Sequence, residues 1–177
     1  MKKNLNQLLI MKHYNLVDYN QYEVLKVPLF LILATFYLLK HYLIIALPIM
    51  AHIPIIGMVI QPLIQVMPSE QYSSGALLYS CIPALLVTIS MAGRKPTASS
   101  WLRWIWQRGI WFLLSTVVLE IGLFILYIVL GIKKLNEVLL MFIYIDFVLI
   151  IYLLRSQWVR DVFAQFPVPA KANDERE

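Results

Sequence analysis

Four long apolar stretches set the main constraint on how this chain folds. They cover residues 28–51, 75–92, 109–132 and 138–154, and each is close to the roughly 20 residues that an α-helix needs to cross the hydrocarbon core of a bilayer. The whole sequence is 60% hydrophobic and 14% charged, whereas a soluble domain carries about 25% charged residues. We therefore predict an all-α polytopic membrane protein with four transmembrane helices.

A fifth apolar segment, residues 53–67, is short and is interrupted by two prolines. Gly57, Gln61 and Gln65 recur in it at four-residue spacing, which gives a helix one narrow polar stripe. A full crossing would need a turn inside the continuous apolar run that precedes the segment. We predict that it lies at the outer interface or re-enters the membrane from that side.

Lysine and arginine are distributed unevenly around the four stretches. Twelve of the 15 basic residues lie before the first stretch, between the second and third stretches, or after the fourth. Lys40 lies inside the first stretch, and Lys133 and Lys134 lie on the opposite side. Because cytoplasmic flanks carry the excess of basic residues, both termini are predicted to be cytoplasmic. The cytoplasmic segment 1–27 lacks the apolar core of a signal peptide, and Met11 is a second candidate start.

The flank between the second and third stretches, SSWLRWIWQRGIW, alternates aromatic and basic residues. These residues are Trp101, Arg103, Trp104, Trp106, Arg108 and Trp111. The pattern favours an interfacial helix whose indoles lie at headgroup depth while the guanidinium groups contact lipid phosphates. A specific site for an anionic lipid or a nucleic acid is the sharper alternative, and we favour the general anchor.

The flank after the fourth stretch, RSQWVRDVFAQF, has a helical periodicity. Its apolar face consists of Trp158, Val159, Val162, Phe163 and Phe166, and Arg160 lies on the other side. We predict an amphipathic interfacial helix over residues 155–167, with Trp158 and Arg160 as anchors, that lies on the membrane surface or docks a partner. The polar tail, residues 168–177, is predicted to be disordered.

Three charged residues interrupt the apolar stretches at similar depth: Lys40 in the first, Glu120 in the third and Asp146 in the fourth. A charge at the centre of a membrane helix costs about 2.5–3.5 kcal/mol on insertion scales, so these residues need partners. We interpret them as a buried network in which Lys40 binds one carboxylate and the helices are held together. His41 lies about 100° around a helix from Lys40 and is predicted to face elsewhere.

Two other interpretations of these charges stay open. Two acids against one base leave an excess carboxyl group that can carry a proton, which would make the network part of a proton or ion path. Alternatively, another polypeptide completes the charge balance, and the chain is a subunit or an assembly factor.

The sequence carries no recognisable catalytic or cofactor-binding motif. His13, His41 and His52 lack the spacing of metal ligands, and the chain has neither a glycine-rich phosphate loop nor a nucleophile motif. We therefore expect no enzyme activity, no cofactor and no metal. The predicted role is a non-catalytic scaffold or accessory subunit of a membrane assembly, and a small proton or ion channel or transporter is the alternative.

The expected partners follow from the same features. They are the lipid bilayer with its anionic headgroups, and either another membrane protein or further copies of this chain. A nucleic-acid partner is not expected.

Several local patterns together resemble the YfeZ-like family of small bacterial inner-membrane proteins. They are DYNQYEVLKVP at 18–28, LLKHY at 38–42, PALL followed by GRK between 83 and 95, and IDFVLIIYLLRSQWVRDVFAQFP at 145–167. The resemblance implies a multi-pass protein of the bacterial inner membrane without an assigned activity. It covers Lys40 and Asp146, where the family pattern is also polar or charged. Glu120 maps onto no family motif, and segment 53–67 departs from the family pattern.

Overall fold

The computed structural model describes residues 14–50, 52, 58, 75–132 and 134–167. Within these residues the chain is helical, and an isolated β-bridge joins Tyr19 to Leu25. Apart from Met58, the predicted interfacial segment 53–67 lies outside the described residues, and so does the tail 168–177.

Eight α-helices follow a short 3-10 turn in the described part of the chain. The turn is Leu16–Asp18, and the helices are α1 Leu29–Leu38, α2 Lys40–Met50, α3 Gly75–Ser80, α4 Ile82–Ala92, α5 Ser100–Gln107, α6 Gly109–Val129, α7 Glu137–Arg155 and α8 Gln157–Ala164. Within the described residues, α6, α7 and the α3–α4 unit are long and apolar enough to cross a membrane. The bent pair α1–α2 is a fourth candidate if it forms one span. The all-helical class is thus confirmed for these residues, with three to four candidate spans.

The first stretch is broken, whereas the sequence predicted one continuous helix over 28–51. The axes of α1 and the following helical turns of α2 differ by 62°, and the break is at Leu39. The Leu39 amide donates to the carbonyls of both Thr35 and Phe36, which tightens the last turn of α1. The Thr35 hydroxyl also donates to the Leu31 carbonyl at 2.7 Å, a back-bond that bends helices. The break makes Lys40 the first residue of a new helix.

Helix α6 is the centre of the packing and contacts α1, α3, α4, α5, α7 and α8. Its buried face consists of Gly109, Leu113, Thr116, Val117, Glu120 and Phe124. Its exposed face is also apolar and includes Val118, Leu119, Ile125, Leu126 and Val129. When a helix is apolar on both faces, neither face favours contact with water. The exposed face of α6 is therefore suited to contact with lipid.

Three segments that are distant in sequence meet at one end of the bundle around Arg94, which follows α4. The Arg94 guanidinium donates to the Leu25 carbonyl at 2.8 Å and to the Gln165 carbonyl at 3.0 Å. The Gln165 side chain in turn accepts from the Leu25 amide at 2.9 Å. The indole of Trp106 donates to the Val162 and Gln165 carbonyls at 3.0 and 2.9 Å. These five residues are called the Arg94 cluster below.

The Arg94 cluster supplies hydrogen-bond donors to the backbone carbonyls at the end of α8. The last carbonyls of a helix have no partner within the helix, and they favour a positive charge nearby. Arg94 and Trp106 meet both needs at Val162 and Gln165. The loop before α1, the end of α4 and the end of α8 therefore lie on the same side of the bundle.

At two places in the flanks, side chains that the sequence predicted to be exposed are buried. Trp106 is fully buried against Phe163 instead of lying at headgroup depth, whereas Trp101, Trp104 and Trp111 are exposed. The apolar face of α8 is also buried within the chain, since it packs on α5 and α6. That face is therefore occupied and is not available to lipid or to a partner. Sequence periodicity shows that α8 has an apolar face, but it does not show that α5 and α6 cover that face.

Gly109 allows α8 to approach α6 closely. A Cβ at this position would lie within 3.0 Å of three ring carbons of Phe163, whereas a Cβ at Gly122 would meet nothing within 4 Å.

We expect Gly109→Ala to lower the free energy of unfolding by about 1–3 kcal/mol, because overpacking displaces the buried ring. Thermal unfolding in mild detergent measures the effect. Gly122→Ala is the matched control and should leave stability unchanged or raised, since alanine favours the helix. Equal loss in both variants would contradict the packing described here.

Candidate functional site

Four polar side chains form a buried charge cluster between three helices. Lys40 and His41 are the first two residues of α2, Glu120 lies near the middle of α6, and Asp146 lies near the middle of α7. Glu120 and Asp146 are 0% exposed, His41 is 1% exposed and Lys40 is 8% exposed. Each helix is otherwise apolar here, so the polar groups have mainly one another as partners.

Glu120 is the centre of the cluster. Its Oε1 atom lies 2.5 Å from Lys40 Nζ and 3.1 Å from His41 Nε2. Asp146 is farther away, with Oδ1 at 3.8 Å from Lys40 Nζ. Lys40 therefore pairs first with Glu120 and more weakly with Asp146, a choice that the sequence left open.

The prediction that His41 faces away from the charges is wrong. Its ring is buried and shares the Glu120 Oε1 atom with Lys40. Neighbouring residues on a helix point about 100° apart, but the long lysine side chain curves towards the carboxylate while the shorter imidazole reaches it directly. A single acceptor placed between the two directions can thus contact both.

Aromatic rings enclose the lysine. The Lys40 ammonium lies 3.9 Å from the centre of the Tyr37 ring and 5.4 Å from that of Phe142. The Tyr37 hydroxyl donates to the Phe142 carbonyl at 3.3 Å, which joins α1 to α7 beside the cluster. On the other side, the rings of His41 and Phe124 meet edge to face. These rings stabilise the cation and keep the surroundings apolar.

Several oxygen atoms of the cluster accept no hydrogen bond from the described residues. They are both carboxylate oxygens of Asp146 and Oε2 of Glu120. Lys40 and Glu120 are close enough to form an ion pair, but the angles at the two atoms are not those of a hydrogen bond. Buried carboxylates without donors are costly in the ionised state.

The charge balance of the cluster leaves room for one additional proton. With His41 neutral, two ionised carboxylates and one ammonium sum to a single negative charge. One proton, on Asp146 or on the His41 ring, makes the cluster neutral, which is the state that an apolar environment favours. Within the described residues, no group of three His, Cys, Asp or Glu side chains is arranged to hold a metal.

The predicted interfacial anchors lie apart from the charge cluster. Trp101, Trp104 and Arg108 are exposed around α5, and Arg160 is exposed on α8. The other two are partly buried: the Arg103 guanidinium lies 5.3 Å from the Phe166 ring, and the Trp158 indole donates to the Lys26 carbonyl. These six residues thus do not form one site.

Sequence reasoning missed the structural role of Arg94, which it used to orient the chain and as part of the GRK pattern. Arg94 is 8% exposed and has no carboxylate partner among the described residues. Burial lowers the pKa of its guanidinium to about 10, so the group stays charged at neutral pH. Nothing local distinguishes a buried arginine in a turn from an exposed one, and its carbonyl partners are about 70 residues away.

A second contact at this end of the bundle links the N-terminal loop to α8. The Tyr14 hydroxyl donates to Asp161 Oδ2 at 2.8 Å, and the Tyr14 ring packs edge to face on Trp158. Burial and the neighbouring Asp161 carboxylate raise the pKa of Tyr14 to about 12. Tyr14 therefore remains a hydrogen-bond donor throughout the neutral and moderately alkaline range.

A family model described as "Protein of unknown function (DUF2919)" matches residues 14–165. The match covers most of the chain, including the charge cluster and the Arg94 cluster, and the chain belongs to this family. No curated protein matches the chain, and no solved structure matches it.

The Lys40–Glu120 pair predicts a specific pattern of stability changes. We expect Lys40→Met to lower the free energy of unfolding by about 2 kcal/mol, because Glu120 and Asp146 lose their cation. Adding Glu120→Gln should cost less than the sum of the two single changes, since the groups interact directly. Thermal unfolding in mild detergent, monitored by circular dichroism, provides the measurement. The exposed Lys95 supplies the control, and the idea fails if Lys40→Met melts like Lys95→Met.

Proposed function

We propose that this DUF2919 protein is a multi-pass protein of the bacterial inner membrane with both termini in the cytoplasm, as its resemblance to the YfeZ-like family implies. The distribution of basic residues supports this orientation. It is also supported by the Arg94 cluster, in which the loop before α1, the α4–α5 turn and the end of α8 meet. These are the three flanks that carry most of the basic residues.

We further propose that the protein is a non-catalytic scaffold or accessory subunit of a membrane assembly. The observation that carries this proposal is the internal pairing of the buried charges. Lys40, His41 and Glu120 contact one another and join α2 to α6, and Asp146 brings in α7. Groups engaged in this way serve to specify how membrane helices pack, as buried polar groups do in other membrane bundles.

A scaffold needs a surface on which another membrane protein can pack. The outward face of α7 is apolar and includes the aromatic side chains of Tyr144 and Phe147, both more than half exposed. Large exposed apolar faces on membrane helices contact lipid or a neighbouring helix, and aromatic rings add contact area at low entropic cost. The proposal assigns this face to a protein neighbour, either another subunit or a second copy of the chain.

The scaffold proposal predicts that the protein is isolated as part of a larger assembly. The full-length chain, extracted in mild detergent or directly into lipid nanodiscs, should migrate with a protein mass well above its own 20.6 kDa. Replacing both Tyr144 and Phe147 with alanine should release the monomer, whereas replacing the exposed Val118 and Val129 of α6 should not. A monomer under both extraction conditions would rule out the scaffold.

A proton path is the second candidate, and a specific observation favours it. Asp146 and Glu120 Oε2 lack hydrogen-bond donors among the described residues, and His41 joins the same cluster. An imidazole beside carboxylates that need one further proton is a typical element of intramembrane proton relays.

The proton path can be tested in vesicles that carry a pH gradient. If the cluster conducts protons, the double variant Glu120→Gln plus Asp146→Asn should abolish the leak that the wild-type protein produces. Glu137→Gln is the matched control, because Glu137 is an exposed carboxylate at the start of α7. The same residual leak in the wild type and the double variant would eliminate this function without affecting the scaffold proposal.

A further inference from the structure

A pocket opens where α5 meets the beginning of α6. Its volume is about 550 Å³, and it is lined by Trp104, Gln107, Arg108, Trp111, Phe112 and Ser115. It lies apart from the buried charge cluster, because all its lining residues come from the flank before α6 and the first two turns of that helix. Its walls are mainly aromatic, and Arg108 and Gln107 supply polar groups at one end.

Arg108 is prepared to bind an anion. Its guanidinium lies 4.6 Å from the centre of the Trp104 ring, which stabilises the cation and restricts its position. In the described part of the chain it forms no ion pair with a carboxylate. The Trp104 ring is itself held edge to face against Phe112, so the aromatic wall is built from both helices. An arginine fixed in this way presents a fork of N–H donors that matches a phosphate group.

The position of the pocket identifies the source of the phosphate. Arg108 directly precedes α6, whose 21 mostly apolar residues form a candidate membrane span, so the guanidinium lies at the depth of the lipid headgroups if α6 crosses the membrane. One helical turn further, Trp111 is 73% exposed. An indole at this depth provides a surface for the upper part of an acyl chain.

From the pocket towards the C-terminal end of α6, one face of the helix forms a continuous surface. The positions 111, 115, 118, 122 and 125 recur at helical spacing, and they combine bulky apolar residues with a serine and a glycine. A Cβ added at Gly122 would meet nothing within 4 Å, and Val118 and Ile125 are more than half exposed. The face therefore offers a shallow apolar track that is continuous with the pocket.

We propose that this pocket is a site for one anionic phospholipid. Arg108 binds the phosphodiester, Trp104 and Trp111 flank the glycerol region, and one acyl chain follows the face of α6. This differs from general anchoring by interfacial tryptophans and arginines, because it assigns one lipid to one arginine. It goes beyond the scaffold role and does not depend on it.

Native mass spectrometry of the full-length protein tests the site. Delipidated protein is titrated with phosphatidylglycerol and, separately, with phosphatidylcholine. We expect one tightly retained phosphatidylglycerol molecule, and phosphatidylcholine should bind about tenfold more weakly, because the zwitterionic headgroup carries its own cation. Equal retention of the two lipids would overturn the proposal. An excess of inorganic phosphate should not displace the lipid, and displacement would indicate a site for a soluble anion instead.

Variants assign the binding to Arg108. Arg108→Gln should weaken phosphatidylglycerol binding about tenfold, and Arg108→Lys should weaken it less, because the charge is kept. Arg155→Gln is the matched control, since Arg155 is an exposed arginine at the end of α7. Equal losses for Arg108→Gln and Arg155→Gln would mean that the arginines are only general anchors, and the proposal would be wrong.

A further variant keeps the test decisive if Arg108→Gln does not fold. Trp111 is largely exposed and contributes little to the protein core. Trp111→Ala should therefore melt like the wild type and still weaken the binding of phosphatidylglycerol several-fold. Unchanged lipid binding in Trp111→Ala would remove the pocket as the binding site.

Discussion

The ion pair between Lys40 and Glu120 is the interaction on which the arrangement of the apolar helices depends. Both groups are enclosed by apolar residues and aromatic rings, where an isolated charge is costly. The cost falls only when the start of α2 brings Lys40 to Glu120 on α6, with α7 close enough for Asp146 to approach the same ammonium. Because α1 ends before Leu39, Lys40 and His41 are the first residues of α2, and both contact Glu120 from this position. Packing of apolar surfaces alone would allow many relative rotations of these helices, and the charges select one of them.

A second polar arrangement, the Arg94 cluster, holds one end of the bundle by different contacts. Arg94 donates to backbone carbonyls and not to side chains. These contacts therefore fix the positions of the loop before α1 and of the end of α8, whatever side chains those residues carry. Arginine suits this position because its planar group can reach several carbonyls at once. The buried Trp106 and the missing side chain at Gly109 let α8 pack closely against α5 and α6. The chain therefore has one polar cross-link between its long apolar helices and another at the end where its flanks meet.

The two polar clusters differ in how completely their groups are paired, and this difference matters for function. Both Nη nitrogens of Arg94 donate to backbone carbonyls, whereas Nε has no acceptor among the described residues. In the charge cluster, Asp146 accepts no hydrogen bond from the described residues, and the charges balance only with one additional proton. The proposed scaffold role rests on the paired groups of this cluster, and the alternative proton path rests on its unpaired carboxylate oxygens. The aromatic pocket at the start of α6 lies apart from both clusters, and the proposed lipid site depends on neither of them.

The sequence by itself determined the all-helical class, the presence of helices long and apolar enough to cross a membrane, and the need of Lys40, Glu120 and Asp146 for partners. These are local properties, because the cost of placing a charge or an apolar side chain depends mainly on its immediate solvent. Only the tertiary structure decided that Lys40 pairs first with Glu120, that His41 joins them, and that Trp106, Arg94 and the apolar face of α8 are buried. Those outcomes depend on contacts between residues far apart in the chain, such as Arg94 and Gln165, 71 positions apart. Helical periodicity shows which residues share a face, but the neighbour that covers the face is set by the packing of the whole bundle.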